Sequence, residues 1–449
     1  MTSGAIDIIH TFDHARRLTQ LPTTVGALKL AKPLGYVTSV TGTTLGVRCK
    51  GLKLGSICRL ASGAAKGTLA EVIALKDDVA MLSVLGEANR IGIFDRVEVV
   101  SDGLMFRFHD GLLGSVVDGV GRPYGGSNAV QNTNRRINAT AVSVLDRPVI
   151  DQPFLTGVQA IDAFLTIGRG QRIALFGPPG TGKSTLISQI LGNSQADVIV
   201  LALIGERGRE VQEFLQTHMT EEMRARTVVV AATSERPALE RYYAAHTAAS
   251  IAEGFRDQGK NVLLLVDSLT RVARALREIG LAAGEPAVRR GFPASVYPAL
   301  PLIIERAGRT STGAVTAIYS VLVEGDSVAD PMADEIKSLT DGHIELSREI
   351  AAEGSYPAID VVTSISRVMP NVVNQAHIDL ANRGRKLLAK YREIKLLVQI
   401  GEFESGQDPA ADEAIAKIDA LKSFIHARRG TATASLAELA KSLRAVVGA

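Results

Sequence analysis

Residues 177–185 read GPPGTGKST, and the organisation of the flanking chain follows from this stretch. Residues 177–184 match the pattern G-x-x-x-x-G-K-[ST] in full, with the apolar run RIALF before them and a helical pattern, STLISQIL, after them. A strand, a glycine-rich turn and a helix in that order direct backbone N–H groups and the positive end of a helix at one anion. The stretch therefore predicts a loop that binds nucleotide phosphates, formed by Gly177, Pro178, Pro179, Gly180, Thr181, Gly182, Lys183, Ser184 and Thr185.

Three side chains of this loop have predicted chemical roles. Gly182 leaves room for phosphate against the main chain, and Lys183 supplies positive charge to the β and γ phosphates of ATP. Ser184 offers its hydroxyl to Mg²⁺. The paired prolines at 178 and 179 are tolerable because the N–H groups that hold phosphate come mainly from later positions.

The chain around this loop alternates between apolar strand patterns and helical patterns. Predicted strands at 172–176, 198–204, 227–232 and 261–266 are separated by predicted helices at 183–191, 210–218 and 238–257. Continuous apolar strands separated by helices indicate a parallel sheet that is covered on both faces. Residues 151–370 are therefore predicted to form one α/β domain.

Two acids follow predicted strands of this domain. Asp267 ends the run VLLLVD, where a carboxylate can help to hold Mg²⁺ beside the phosphate loop. Capping of the helix that follows is the alternative role. Glu206 comes just after the run VIVLALI, where it can orient the water that attacks the γ phosphate. Glu210 and Glu213 are rivals for this role, but they are predicted to face solvent from the next helix.

The flanking regions have different patterns. Residues 1–24 are predicted to be an arm, 25–102 a small β-barrel, 103–150 a connector rich in Gly and Pro, and 371–449 a helical domain. The barrel is preferred to an open sheet because it leaves no free edge. Its strand candidates are 36–41, 45–49, 57–60, 69–75, 79–85 and 96–100. In the helical domain, Tyr391, Ile394, Leu397 and Val398 share one face at helical spacing.

Composition limits the classes of function. The 449 residues carry a formal net charge of +3, with no Trp and no long block of like charge, which argues against a nucleic-acid partner. No stretch reaches the roughly 18 uninterrupted apolar residues of a membrane span. We therefore expect a cytoplasmic protein whose membrane contact, if any, is peripheral. Cys49 and Cys58 fit no common zinc spacing and are predicted to lie on neighbouring strands.

Several longer segments resemble one protein family. They are GERGREVQEF (205–214), DSLTRVARALREIGLAAGEP (267–286), LVEGDSVADPMADEIKSLTDGHIELSR (322–348), YPAIDVVTSISRVM (356–369) and the connector segment LLGSVVDGVGRP (112–123). Together they resemble the catalytic ATPases of type III secretion systems and of the flagellar export apparatus, relatives of the rotary ATPase α and β subunits. The resemblance covers about residues 25 to 440 and implies a RecA-like P-loop domain between the barrel and the helices.

The resemblance also implies roles for individual residues. Glu206 would be the catalytic glutamate and Asp267 the acid that helps to hold Mg²⁺. Arg207 and Arg271 would lie close to the phosphates. Arg367 would be an arginine finger that reaches into the active site of a neighbouring subunit. Tyr356 would stack on adenine, whereas the residue alone reads equally as a core tyrosine.

At the level of the assembly, the resemblance implies a homohexamer that hydrolyses ATP with Mg²⁺. It implies a position at the inner face of the bacterial inner membrane. The implied partners are stator or stalk proteins, export-gate proteins and chaperone–substrate complexes. The segment GEPAVRRGFPAS (284–295) departs from the usual GEPPATRGYPPS, with Val288 and Arg289 in a loop that is expected near a central pore.

Four other functions remain as alternatives. A flagellar export ATPase is the alternative within the same family, but the short N-terminal extension favours the injectisome branch. A rotary synthase or pump subunit is disfavoured because the C-terminal helices have no acidic DELSEED-like segment and GERGRE differs from GERTRE. An RNA-translocating ring is disfavoured because the barrel region has few aromatic residues, Tyr36, Phe94, Phe106 and Phe108. A non-catalytic subunit is disfavoured because Lys183, Glu206 and Asp267 are all present.

Overall fold

The computed structural model describes residues 34–124, 133–139, 141–323, 330–426 and 435–448. The predicted arm at 1–24, and residues 25–33 of the predicted barrel domain, lie outside the described residues. Backbone contacts divide the chain into two compact units, one that ends at Asp102 and one that begins at Gly103.

The first unit is a closed six-stranded antiparallel barrel, which confirms the predicted barrel over an open sheet. Its strands run in the order β1-β2-β5-β4-β3-β6, and β6 pairs with β1 to close the sheet. Inward-facing side chains such as Val37, Val47 and Leu82 are fully buried, whereas their strand neighbours are more exposed. The strands are β1 (Leu34–Thr41), β2 (Thr44–Arg48), β3 (Ile57–Leu60), β4 (Leu69–Lys76), β5 (Val79–Leu85) and β6 (Arg96–Ser101).

The two cysteines belong to this barrel and are free thiols. Cys58 lies in β3 with no exposed surface, and its burial raises the pKa of the thiol to about 12. Cys49 comes directly after β2 and is only partly buried. Within the described ranges, no group of three or more His, Cys, Asp or Glu side chains could hold a metal ion.

The second unit is built on a sheet that has nine strands among the described residues. The strands of the whole second unit, including those outside this sheet, are β7 (Met105–Phe108), β8 (Val116–Val117), β9 (Thr133–Arg136), β10 (Pro153–Phe154), β11 (Ile167–Gly168), β12 (Arg172–Gly177), β13 (Val198–Ile204), β14 (Thr227–Ala232), β15 (Asn261–Asp267), β16 (Ala287–Arg289), β17 (Phe292–Pro293), β18 (Gly308–Arg309), β19 (Ala314–Leu322), β20 (Gly342–Glu345) and β21 (Ile365–Ser366). The sheet order is β21-β20-β12-β19-β15-β13-β14-β8, and β18 pairs with β19. Only the β20–β21 and β18–β19 pairs of this sheet are antiparallel, so the predicted mostly parallel sheet is confirmed.

Helices cover the sheet and extend to the C-terminal end of the described chain. They are α1 (Gln159–Phe164), α2 (Lys183–Asn193), α3 (Gly208–Thr217), α4 (Glu221–Ala225), α5 (Ala238–Asp257), α6 (Leu269–Ala282), α7 (Val296–Ile304), α8 (Pro331–Leu339), α9 (Arg348–Ala352), α10 (Met369–Val372), α11 (Gln375–Ile400), α12 (Pro409–Ile425) and α13 (Leu436–Val447). None of the described helices combines the length and the apolar character that a bilayer span requires.

Burial explains why the central strands have no polar alternation. All seven residues of β13 are buried, as are all six of β14, because helices pack on both faces. The long helix α5 packs closely here because its buried face is rich in alanine. Each strand delivers the residue that follows it to the same edge of the sheet, and this edge carries the phosphate loop.

The segment predicted as a connector adds strands of its own. Within it, β7 and β9 form a separate antiparallel pair, and β8 pairs in parallel with β14 at the edge of the main sheet. Val117 of β8 is fully buried. Part of this segment therefore extends the central sheet.

The C-terminal helices share one apolar core with the nucleotide-binding region. The rings of Phe164 in α1 and Phe424 in α12 meet edge to face, with centroids 6.1 Å apart. The predicted helices are confirmed, but the predicted apolar face of α11 is only partly right. Ile394 is 5% exposed, whereas Leu397 is 42% exposed, so the predicted face is buried only in part.

Candidate nucleotide-binding site

The phosphate loop joins β12 to α2 through two glycines in the left-handed region. Gly180 has φ +83° and Gly182 has φ +80°, a conformation that costs an L-residue with a side chain about 1–2 kcal/mol. A Cβ atom at Gly182 would also lie 2.9 Å from two ring atoms of Tyr356. Gly182 is therefore required both by the turn and by the tyrosine that packs on it.

The predicted lysine and the predicted acid of the site are in direct contact. Lys183 Nζ donates to Asp267 Oδ1 at 2.6 Å, and Ser320 Oγ donates to the same oxygen at 2.8 Å. Asp267 ends β15 and is 6% exposed. Sheet order explains this meeting, since β19, which carries Ser320, lies between β12 and β15.

Glu206 lies at the same edge and is held by an arginine from α6. Arg271 Nη2 donates to Glu206 Oε2 at 2.8 Å, and Nη1 donates to the carbonyl of Gly205. Gly205 has φ +69°, and a Cβ atom there would lie 2.7 Å from Arg271 Cδ. The glycine thus lets the arginine pack against the turn that presents the glutamate.

The environment of Glu206 raises the pKa of its side chain. Burial is the main reason that the pKa of Glu206 lies above its ordinary value of 4.5, and the charge of Asp267 adds to this effect. The cations of Arg271 and Lys183 lower the pKa of Glu206 and so oppose the shift. A hydrogen bond with Glu210 raises it further. Glu210 was predicted to face solvent; its side chain is 39% exposed, and it also borders the cleft that contains Glu206.

These residues border a cleft of about 650 Å³. Its lining residues are Pro178, Pro179, Gly180, Gly182, Lys183, Ser184, Thr185, Leu203, Glu206, Glu210, Val211, Glu213, Phe214, His218, Asp267, Arg271 and Leu322. Most of the predicted phosphate-loop residues are therefore at the surface of one cavity. Glu213 borders the cleft with a side chain that is 59% exposed, in line with its predicted exposure.

Thr181 and Gly177 support the loop from behind. Thr181 Oγ1 donates to the carbonyl of Pro178 at 2.8 Å, and Thr181 is 2% exposed. A Cβ atom at Gly177 would lie 3.0 Å from Leu346 Cδ1 and 3.2 Å from Thr181 Oγ1. Both residues hold the shape of the turn from within the protein.

Three residues suggested by the family resemblance do not line the cleft. Tyr356 packs on Gly182 and is 45% exposed, so one face of its ring remains open. Arg207 has a side chain that is 76% exposed, and its Nη1 lies 3.5 Å from Glu210 Oε1. Arg367 is exposed just after the edge strand β21 and does not border the cleft of its own chain.

The oxygen donors at the cleft fit Mg²⁺. Ser184 is exposed in the first turn of α2, and Asp267 uses Oδ1 for its bonds to Lys183 and Ser320. In P-loop sites Mg²⁺ keeps several waters and binds one or two protein oxygens together with phosphate. The pair Ser184 and Asp267 matches this requirement for few, hard ligands.

Ser320, Phe214 and His218 were not predicted from the sequence. Ser320 lies in the strand AVTAIYSVL near its carboxyl end, which is the edge that carries the phosphate loop, and a small hydroxyl residue at that end was a usable signal. The rings of Phe214 and His218 lie 5.4 Å apart at one end of the cleft. Nothing in the spacing of these two residues distinguishes them from an ordinary amphipathic helix.

Comparison with known proteins extends over nearly the whole chain. Residues 157–366 match the family model described as ATP synthase alpha/beta family, nucleotide-binding domain. Residues 373–445 match the model described as T3SS EscN ATPase C-terminal domain. The type 3 secretion system ATPase of Xanthomonas euvesicatoria is 46% identical over 413 residues, which cover 91% of this chain and 92% of that protein.

Two further relatives are similar over comparable lengths. The type 3 secretion system ATPase of Sinorhizobium fredii is 48% identical over 395 residues, 87% of each protein. The flagellum-specific ATP synthase of Bacillus subtilis is 40% identical over 410 residues, 91% of this chain and 93% of that protein.

Solved structures show the same fold. The assembled ATPase EscN from enteropathogenic E. coli superposes with a TM-score of 0.86 at 46% identity, covering 92% of this chain and all of that one. EscN in complex with its central stalk EscO superposes with a TM-score of 0.84 at 45% identity, with the same coverage.

Proposed function

Because the chain belongs to the type III secretion system ATPase family, we propose that it hydrolyses ATP in the cleft beside the phosphate loop to energise protein export. The observation that carries the assignment of the site is the cluster of Lys183, Asp267, Glu206 and Arg271 at the carboxyl edge of a parallel sheet. Two carboxylates and two cationic side chains meet there, beside the phosphate loop, whose backbone N–H groups can bind an anion.

The residues of the cleft divide the reaction between them. The N–H groups of 180–185 and the ammonium of Lys183 bind the β and γ phosphates. Lys183 then exchanges its ion pair with Asp267 for one with phosphate, which frees an Asp267 oxygen. Ser184 and Asp267 would hold Mg²⁺, which would supply the positive charge that the developing phosphate charge requires.

Glu206 orients the attacking water. Its carboxylate lies beside the phosphate loop, and Arg271 fixes its direction through a 2.8 Å hydrogen bond. A carboxylate so placed accepts a hydrogen bond from water and holds it in line with the γ phosphorus. Burial excludes most other water molecules from this carboxylate, so fewer solvent hydrogen bonds compete with the one to the attacking water.

A second copy of the chain completes the site. Arg367 is exposed on the sheet edge, away from the cleft of its own chain, which suits a residue that acts on a neighbour. A guanidinium supplied in trans neutralises charge on the transferring phosphoryl group. The similarity to assembled EscN supports a homohexameric ring with such shared sites. Arg207, also exposed and adjacent to Glu206, is positioned to approach the phosphates when the ring closes.

We assign the chain to the injectisome branch, because the type 3 secretion system ATPases of Xanthomonas euvesicatoria and Sinorhizobium fredii are 46% and 48% identical to it, the flagellum-specific ATP synthase of Bacillus subtilis is 40% identical, and the superposed EscN structures come from a type III secretion system. In this role it releases export substrates from their chaperones and unfolds them at the export gate. It works at the inner face of the inner membrane, with peripheral membrane contact and no nucleic acid. The EscN complex with EscO supports a central stalk as a further partner.

Two readouts test this function together. In a strain that lacks the chain, wild-type protein should restore secretion of effector proteins, whereas Glu206→Gln should bind ATP but release no phosphate and restore no secretion. Phosphate release by the purified wild-type protein should stop in EDTA and resume when Mg²⁺ is added. Wild-type secretion by Glu206→Gln, or undiminished turnover in EDTA, would refute the proposal.

A further inference from the structure

The segment that carries Tyr356 is held by the chain that follows β20, where the N–H of Ser347 donates to the carbonyl of Ala358 at 2.8 Å, and by the C-terminal helices. It runs from α9 through Gly354 to Pro357, and it places the ring of Tyr356 on Gly182 of the phosphate loop. A cavity of about 190 Å³ is lined by residues just before and just after this segment and by residues of α11 and α12. The apolar part of its lining is formed by Ile350, Ile359, Val361, Val362, Leu388, Tyr391, Ile418 and Ile425. The chain that flanks the segment therefore does not pack completely on the helices.

Charged contacts to the C-terminal helices bridge this cavity. Glu353 accepts hydrogen bonds from Lys395 of α11 at 2.7 Å and from Lys422 of α12 at 3.3 Å. Lys395 also donates to Glu349 of α9 at 2.6 Å. One carboxylate, three residues before Tyr356, thus joins two separate helices to the segment.

The other side of Tyr356 has its own contact to α12. The ring nitrogen Nδ1 of His426, the residue after α12, lies 3.1 Å from the carbonyl oxygen of Pro357. The segment is therefore tied to the C-terminal helices both before and after Tyr356. In addition, the ammonium of Lys422 lies 5.7 Å from the ring centroid of Tyr391, which limits where that lysine can point.

The electrostatics of these groups agree with the geometry. The hydrogen bond from Lys395 is the main cause that lowers the pKa of Glu353, and the bonds to Glu349 and Glu353 raise the pKa of Lys395. Both groups are therefore charged at neutral pH. Glu353 is 34% exposed and Lys395 is 24% exposed, so solvent screens the pair only in part.

We propose that Glu353, Lys395 and Lys422 are positioning residues that hold Tyr356 in place for adenine and so set the affinity of the site for ATP. We call these three residues the clamp. This inference rests on the proposed function and on the contact with adenine that the family resemblance implies for Tyr356. The clamp also links the C-terminal helices to the nucleotide site, because a shift of α11 or α12 would move the segment that contacts the base.

The test uses tryptophan fluorescence, because the chain contains no Trp. Tyr356→Trp makes residue 356 the single tryptophan, whose emission should change when ATP binds. Adding Glu353→Gln in this background should raise the Kd for ATP about threefold to tenfold, the range expected when a partly exposed ion-pair network is lost. Lys395→Met, which removes the partner of Glu353 in the clamp, should also raise the Kd for ATP about threefold to tenfold. An unchanged Kd in both variants would overturn the inference.

Steady-state kinetics separate positioning from damage to the fold. With Tyr356 present, Glu353→Gln should raise KM for ATP by the same factor and leave kcat and the inhibition constant of pyrophosphate unchanged, because pyrophosphate has no base to stack. In a Tyr356→Leu background, Glu353→Gln should cause no further rise in KM. An equal loss of pyrophosphate binding would overturn the inference in favour of general disorder.

The chain offers a matched control. Glu413 also bridges two cations, accepting from Lys417 at 2.8 Å and from Arg383 at 2.7 Å, and it is 38% exposed. Glu413→Gln should leave the Kd for ATP unchanged, because these three residues lie away from the segment with Tyr356. A rise equal to that of Glu353→Gln would show a general effect of the helices and contradict the clamp.

The outcomes distinguish this inference from the proposed function. If Tyr356→Trp still hydrolyses ATP but its emission does not respond to ATP, the base does not lie at Tyr356, and both the assigned base site and the clamp fail. If the emission responds and the Glu353→Gln variant binds ATP as before, the base site stands and only the clamp is refuted.

Discussion

Lys183 Nζ donates a 2.6 Å hydrogen bond to Asp267 Oδ1, so the cation of the phosphate loop is paired with the acid that ends the neighbouring strand β15. The pair balances charge in a cleft where Asp267 is only 6% exposed. An uncompensated charge at this depth would be costly. In the proposed reaction, Lys183 would exchange Asp267 for a phosphate as its ionic partner, and Asp267 would then be free to help hold Mg²⁺.

The first prediction concerns Lys183. Lys183→Ala should reduce phosphate release by at least about a hundredfold, because the loop loses its only side-chain cation on the β and γ phosphates. The circular dichroism spectrum should be unchanged, since the lysine is at the cleft surface. Lys337→Ala removes a lysine from a 2.6 Å ion pair with Glu345 outside the cleft and should keep wild-type turnover. Substantial turnover by Lys183→Ala would show that the site is wrongly assigned.

The second prediction concerns pH. The pKa of Glu206 is raised, chiefly by burial, so hydrolysis should be lost as pH falls through a value above 4.5. The cation of Arg271 lowers this pKa, so Arg271→Met should move the acid limb of kcat/KM to higher pH. Arg209→Met, a change to a side chain that is 80% exposed, should leave the acid limb of the kcat/KM profile at the same pH. A shift to lower pH for Arg271→Met would contradict the assignment of Glu206.

The third prediction concerns sites shared between copies. Arg367→Ala should lower turnover by about a thousandfold, as expected when an arginine finger is lost. Mixing this variant with Glu206→Gln should restore part of the activity, because some interfaces then combine an intact Glu206 with an intact Arg367. Activity is measured across mixing ratios against each variant alone. No recovery at any ratio would place Arg367 outside the site.

The fourth prediction concerns stability. Arg306 is 1% exposed and makes two hydrogen bonds to Glu253, at 2.8 and 2.7 Å, and one to the carbonyl of Ile137 at 2.6 Å. Arg306→Met leaves the Glu253 carboxylate buried without its partner and should lower the free energy of unfolding by about 3–5 kcal/mol. Replacing both residues, as Arg306→Met with Glu253→Leu, should recover part of the loss. Urea unfolding measures both variants, and a single variant as stable as wild type would contradict this account.

The sequence predicted the regular parts of the fold well. Strands Val198–Ile204 and Thr227–Ala232 and helix Ala238–Asp257 have the predicted bounds, because long apolar runs between turn residues leave little choice of structure. Residues 25–33 of the barrel domain and the arm remain predictions.

The contacts within the site were harder to predict. Lys183 and Asp267 were identified by motif, but their meeting with Ser320 depends on the sheet order, in which β19 lies between their strands. The position of Glu210 at the border of the cleft depends on how α3 turns after β13, which no local pattern specifies. Arg367 was identified through the family resemblance alone, because a residue that serves another copy leaves no signal in the pattern of its own chain.

The measurement that tests the account most directly is phosphate release per chain as the protein concentration is raised, with and without added RNA, against Lys183→Ala as a blank. We predict that specific activity rises with protein concentration as a ring appears on a sizing column, because each active site needs a second copy. Added RNA should not change the specific activity. Specific activity that is independent of concentration in a monomer, or that requires RNA, would contradict the account.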